Sequence, residues 1–193
     1  MEIFPARDGG VRVWLSAGEA ELLRLLANQV IDLMGDDRKD QPQRTVMDEL
    51  EALFEEGPAP QFPTDPVLAR LLPDAYREDP EAAGEFRKYT ERSLREAKKY
   101  FAQTLLDTLP DNGGRVKLTP DQARDWMRAI NDVRLAWGVR LEVTEDFEEQ
   151  LAALDPEDPK VATFEVYGWL GAVQESLVRA ITRLAPEVVS TSC

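Results

Sequence analysis

The sequence predicts a mainly helical domain carrying a small β-sheet, and three observations predict it. Apolar residues recur at helical spacing through most of the chain, capping residues stand at the heads of those runs, and apolar–polar alternation of period two is confined to short segments. With 193 residues, 43% hydrophobic and 31% charged, the chain is long enough for a core of its own and has an ordinary globular composition. The expected domain spans 1–185, followed by a flexible tail over 186–193.

Residues 3–6 and 11–15 read as a hairpin around Arg7-Asp8-Gly9-Gly10, with Val11, Val13 and Leu15 on a buried face and Trp14 on the other. Ser16 and Glu19 have capping-box spacing, so a helix starts there and runs to about Met34; its apolar stripe is broad enough for a central helix touched on several sides. A second helix is expected over about 45–55. Four prolines make 55–66 an extended connection that cannot continue a helix. Asp65-Pro66 caps a short helix that Pro73 stops, and Asp79-Pro80 opens the longest one, to about Leu109. Its inward stripe is read as Phe86, Tyr89 or Thr90, Ser93 or Leu94, Ala97, Tyr100 or Phe101, and Leu105. With seven bases against six acids over 77–100, it is the most basic helix of the chain.

A strand is expected at 115–118, then a helix opened by Thr119-Pro120 with Gln122 at the capping-box position and stopped by Gly138. Alternation of Val139, Leu141 and Val143 predicts a further strand over 139–143. Thr144 caps a short acidic helix, and a last helix runs from about Lys160 to Leu184, where close approach of another backbone is one explanation for Gly168 and Gly171.

The net charge of −14 is carried by two segments: 36–66 has nine acids against three bases, and 142–158 has eight acids and no base. Such a surface repels phosphate backbones and favours basic partners. The chain has no histidine, which removes the commonest general base and zinc ligand, and its one cysteine, Cys193, cannot form an internal disulfide. The opening MEIFPARDGG lacks the regions of a secretion signal, and no run approaches the roughly 18 apolar residues of a membrane span, so the expectation is cytoplasmic. Walker, dinucleotide, paired-cysteine and nucleophile-elbow motifs are absent, and the residues specify no cofactor, no metal ligands and no catalytic set.

Three sets of residues are candidates for function. Glu145, Asp146, Glu148 and Glu149 form a candidate face for a basic partner protein. Trp126, Asn131, Asp132, Arg134 and Trp137, together with Arg87 on the long helix, are either a buried network fixing how two helices meet or a patch anchoring a partner. Arg124, Arg128 and Arg134 interleave with Asp121, Asp125 and Asp132, a pattern of internal salt bridges more than of a helix reading a DNA groove. Cys193 is a redox candidate only through pairing with another chain or a small thiol.

At LLPDAYREDPEAAGEFRKYTERSLREAKKY (Leu71–Tyr100) and WMRAINDVRLAWGVRLEV (Trp126–Val143) the chain resembles the actinobacterial family DUF2017, over nearly its whole length. The resemblance implies a small cytoplasmic protein, encoded near the ClpS protease adaptor and a cysteine-biosynthesis cluster. It also implies a part in redox-dependent transcriptional regulation of the oxidative-stress response through partner proteins, for which the transcription machinery is one candidate. It supplies no catalytic residues. The resulting expectation is a non-enzymatic regulator acting through protein–protein contact. The alternatives are a regulator that binds DNA directly and an enzyme using carboxylates with a divalent metal.

Overall fold

A computed structural model describes residues 1–6, 9–35, 62–76 and 78–184. Among these, three strands, β1 (Glu2–Pro5), β2 (Val11–Leu15) and β3 (Gly114–Leu118), form an antiparallel sheet in the order β1-β2-β3. Six helices accompany it: α1 (Ala17–Leu33), α2 (Pro66–Leu71), α3 (Pro80–Thr108), α4 (Pro120–Arg140), α5 (Phe147–Ala152) and α6 (Lys160–Thr182). The expected helix at 45–55, most of the proline-rich connection, Arg7, Asp8 and the tail with Cys193 lie outside the described residues.

The caps read from the sequence start the helices. Ser16 and Glu19 form a reciprocal capping box, as do Thr119 and Gln122. Asp65 accepts from the Val67 and Leu68 amides at 2.7 and 3.2 Å, and Asp79 from Ala82 at 3.0 Å. Each side chain satisfies amides that the first helical turn leaves without a partner. In the β1–β2 hairpin Gly10 takes φ 110°, and a side chain there would lie 2.5 Å from the Leu118 carbonyl oxygen. Gly113, at φ 71°, is equally constrained: a Cβ would meet the backbone of Ser16 and Ala17 at 2.5 Å.

Helix α4 is the hub. It packs against α1, α2, α3 and α6; α1 meets two helices, α3 and α4, so it is contacted on more than one side as expected but is not the hub. Leu25 of α1 is 57% exposed, while Trp126 of α4 is fully buried and its indole N–H donates to Thr108 Oγ1 at 2.7 Å. Val11, Val13 and Leu15 from the sheet, Leu23 and Leu26 from α1, Ile130 from α4 and Leu170 and Leu177 from α6 share the main core. Met34, Val67, Leu71, Leu72 and Ala136 make a smaller cluster where α2 meets α4.

Residues 139–143 are not a strand. Helix α4 continues through Gly138 to Arg140 and closes with Glu142 at φ 53°. The Val143 amide then donates to the Gly138 carbonyl at 2.9 Å and Glu142 to Val139 at 3.2 Å. This is a Schellman cap with glutamate in the left-handed position usually given to glycine. Three alternating apolar residues are too few to separate a strand from the i, i+4 spacing of a final helical turn: Leu135 and Val139 both pack on the smaller core. Gly138 stays helical with its α-carbon facing the Tyr167 ring, 3.6 Å from where a Cβ would stand. Because the cap occupies 141–143, the next helix starts later than expected. Thr144 does not cap it; its amide donates to Gln150 Oε1 at 3.0 Å, and Asp146 stands at the N-cap without a side-chain bond.

The inward stripe of α3 departs from the one read in the sequence over its N-terminal two thirds. At its C-terminal end Phe101 and Leu105 face the core as expected, but Phe86, Tyr89, Leu94 and Tyr100 are 46%, 72%, 37% and 61% exposed, whereas Ala83, Arg87 and Ala102 are buried. Between Arg87 and Ala102 the inward positions carry Glu91, Arg95 and Lys98, whose charges are neutralised by partners. Periodicity finds apolar stripes and cannot see a face of paired charges. The two glycines of α6 do admit close neighbours, but these are side chains: the Phe147 ring at Gly168 and the Arg134 guanidinium at Gly171.

Candidate functional site

The acidic segment after α4 is anchored by one aromatic side chain. Phe147 stacks on Phe164 of α6 at 5.8 Å between centroids, with the planes 8° apart, and meets Tyr167 at 5.2 Å. Gln150 ties the segment back to α4, donating to the Glu142 carbonyl at 3.2 Å while accepting from Thr144. With Phe147 turned inward, Glu145, Asp146, Glu148 and Glu149 are all exposed. The structure thus brings the four predicted carboxylates into one solvated ridge. Phe147, which holds them there, was missed; its signal was an aromatic residue alone among acids.

The second predicted set separates into three parts. Trp126 belongs to the core. Asp132 is 4% exposed and pairs with Lys98 of α3 at 2.6 Å. Burial holds its carboxyl above the ordinary range although the Lys98 ammonium, by hydrogen bond and charge, pulls it down. Asn131 and Arg134 face α6 instead: Arg134 donates to Gln174 Oε1 at 2.6 Å, Gln174 donates to Asn131 Oδ1 at 3.2 Å, and the guanidinium lies over the Tyr167 ring at 5.2 Å. Arg134 Nε and the Trp137 indole nitrogen are buried with no partner.

Arg87 does not join this network. It is 5% exposed and pairs with Asp74 at 2.5 Å and Glu91 at 2.9 Å, donates to the Leu72 carbonyl and lies under the Phe62 ring. Its role is to clamp the turn before α3 onto that helix. The ion pair between α3 and α4 is made by Lys98, a residue that carries no mark in the sequence, and it stands beside the Trp126–Thr108 hydrogen bond. Glu91 bridges Arg87 and Arg95; burial pushes its carboxyl up, but the hydrogen bonds and charges of both arginines bring it below the usual value.

Along the outer side of α4, Arg124 pairs with Asp121 at 2.5 Å and Arg128 with Asp125 at 3.3 Å. Burial raises the Asp125 carboxyl against the opposing charge of Arg128. Among the described residues no three or more cysteine, aspartate or glutamate side chains are placed to hold a metal ion. No described helix is long and apolar enough to cross a membrane.

This geometry defines a helical scaffold whose helices carry ion pairs along their own faces and share the Lys98–Asp132 pair between α3 and α4, with a sheet at one side and exposed acids at its surface. The chain belongs to the family described as domain of unknown function DUF2017, whose model matches residues 1–181. It is similar to the oxidative stress regulator AosR of Mycobacterium tuberculosis (strain ATCC 25618 / H37Rv), 42% identical over 188 residues, covering 89% of this chain and 83% of that protein. A putative oxidative stress regulator AosR of Mycobacterium leprae (strain TN) is 38% identical over 178 residues, covering 84% of this chain and 78% of its own length. No solved structure matches the chain.

Proposed function

We propose that this chain is a non-enzymatic regulator of the oxidative-stress response that acts by binding a partner protein through the acidic ridge of 142–158. The observation that carries the reading is the ridge itself. Glu145, Asp146, Glu148 and Glu149 stand exposed on a short segment held to α6 by Phe147, in a stretch with eight acids and no base. Carboxylates so arranged attract a basic surface and speed its encounter. The names of the mycobacterial relatives support the oxidative-stress setting. On α4, the pairing of Arg124 and Arg128 with neighbouring aspartates favours a protein partner over a helix tracking DNA phosphates.

The test is charge reversal of the four ridge carboxylates to lysine in a tagged chain, with quantitative capture from lysate before and after peroxide treatment. The expected result is loss of a partner that the unmodified chain retains, with the melting temperature preserved. An unchanged set of captured proteins overturns the assignment.

A further inference from the structure

The outward face of the sheet carries a second pattern, opposite in sign to the ridge. Register places Glu2, Trp14 and Arg115 in one cross-strand row and Phe4, Arg12 and Lys117 in the next. The alternation that buries Val11, Val13 and Leu15 turns all six outward. Trp14 is 46% exposed and Phe4 55%. They are diagonal neighbours across β1 and β2 and both line the same hollow, which places two apolar rings on one face. The rows line an open trough of about 630 Å³.

Three cations and one carboxylate meet here in a chain of net charge −14. Elsewhere Arg87, Arg95, Arg124, Arg128 and Arg179 each pair with a carboxylate. Arg12 and Arg115 have no such partner among the described residues. Exposed aromatic rings flanked by unneutralised guanidinium groups are the makings of an anchored, charge-complementary interface.

We propose that this sheet face docks an acidic segment of a partner protein, its aromatic or aliphatic side chains seated against Trp14 and Phe4 and its carboxylates meeting Arg12 and Arg115. It is a docking surface separate from the acidic ridge and does not depend on it. A nucleic-acid strand fits the observations less well. It would carry a phosphate at every nucleotide past the edge of a small basic face onto an acidic chain, with Glu2 standing in the aromatic row. An acidic peptide brings fewer charges and gains more from the exposed Phe4 and Trp14 rings.

The probe is a fluorescein-labelled random glutamate–tyrosine copolymer, titrated with the full chain and followed by anisotropy, with polyglutamate and an oligothymidylate in separate arms. The copolymer is expected to bind about tenfold more tightly than polyglutamate, which has the charge without the rings, and more tightly than the oligothymidylate. Trp14→Ala and the double variant Arg12→Glu, Arg115→Glu should each weaken copolymer binding by about tenfold or more. Charge reversal of the ridge carboxylates should not weaken it. All substituted side chains are solvent-exposed, and a thermal melt checks each variant; if Trp14→Ala melts early, the arginine pair decides. Absent copolymer binding, binding unchanged in the arginine variant, or copolymer binding no tighter than polyglutamate overturns the proposal. Tighter oligothymidylate binding lost in the same variants also overturns it, and reassigns the face to single-stranded nucleic acid.

Discussion

Replacing Lys98 with methionine tests whether the contact between α3 and α4 depends on one buried ion pair. Asp132 is 4% exposed and its hydrogen bond from Lys98 is 2.6 Å long. Without the ammonium, the carboxylate must either stay charged in the interior or take up a proton. Protonation at pH 7 of a group whose unfolded pKa is about 3.9 costs about 4 kcal/mol, an upper bound on the difference because the parent's raised carboxyl already bears part of it, and comparable with the roughly 3–5 kcal/mol typical of a broken buried pair. For a chain of this size each kcal/mol moves Tm by about 2–4 °C, so Lys98→Met should lower it by roughly 6–20 °C near neutral pH.

The sign of the pH dependence is specific. Asp132 already has its carboxyl raised by burial, against the pull of Lys98. A raised carboxyl contributes stability that is present below the unfolded value and lost as pH rises through the folded one. Removing Lys98 raises the folded value further, so the deficit of the variant relative to the parent should shrink by up to about 1.4 kcal/mol per pH unit as pH falls between the variant's folded value and the parent's, and hold constant below the parent's. Paired urea melts at several pH values measure this difference, with effects common to both chains cancelling. A deficit under about 1 kcal/mol at neutral pH, or one that does not change with pH, would refute the reasoning.

Four other expectations follow from particular contacts. Glu91→Gln should flatten the acid limb of the stability curve: the carboxyl held low by Arg87 and Arg95 contributes above its unfolded value near about pH 4.3, and that contribution disappears as pH falls through the lowered one. Gly113→Ala, which drives a Cβ into the backbone of Ser16 and Ala17, should cost about 3 kcal/mol or more by denaturant melt. Arg134→Ala removes the tie to Gln174 and the contact with Tyr167 and should cost about 1–3 kcal/mol; full stability with loss of a captured partner would mark it as a partner anchor instead. Phe147→Ala should release the acidic ridge, seen as faster amide exchange over 142–152 with about 1–3 kcal/mol or less lost globally.

Local chemistry was legible in the residues. The caps at Ser16, Asp65, Asp79 and Thr119, the β1–β2 hairpin, β3 and the starts of the long helices each depend on side chains within a few positions of the backbone groups they satisfy. The exposure of the ridge carboxylates was legible too, because eight acids without a base have no local partner to bury against. The 139–143 strand failed because a short alternating run is shared by strands and helix ends, and the left-handed glutamate that closes α4 carries no mark in its residue type.

Composition, capping and alternation by themselves determined a helical chain with a small sheet, the sign of its surface and the outward turn of Trp14. Those are properties of neighbours in sequence, set by backbone hydrogen bonding and side-chain period. Tertiary structure alone decided which charges became interior. Lys98 finds Asp132 across 34 positions and Arg134 finds Gln174 across 40. It also decided that α3 turns its paired charges inward and its aromatic stripe outward, and that Arg115 joins Trp14 and Arg12 on one face. The physical reason is that burying a charge costs several kcal/mol until its partner arrives, and the partner's arrival depends on the packing of whole helices and strands rather than on any local pattern.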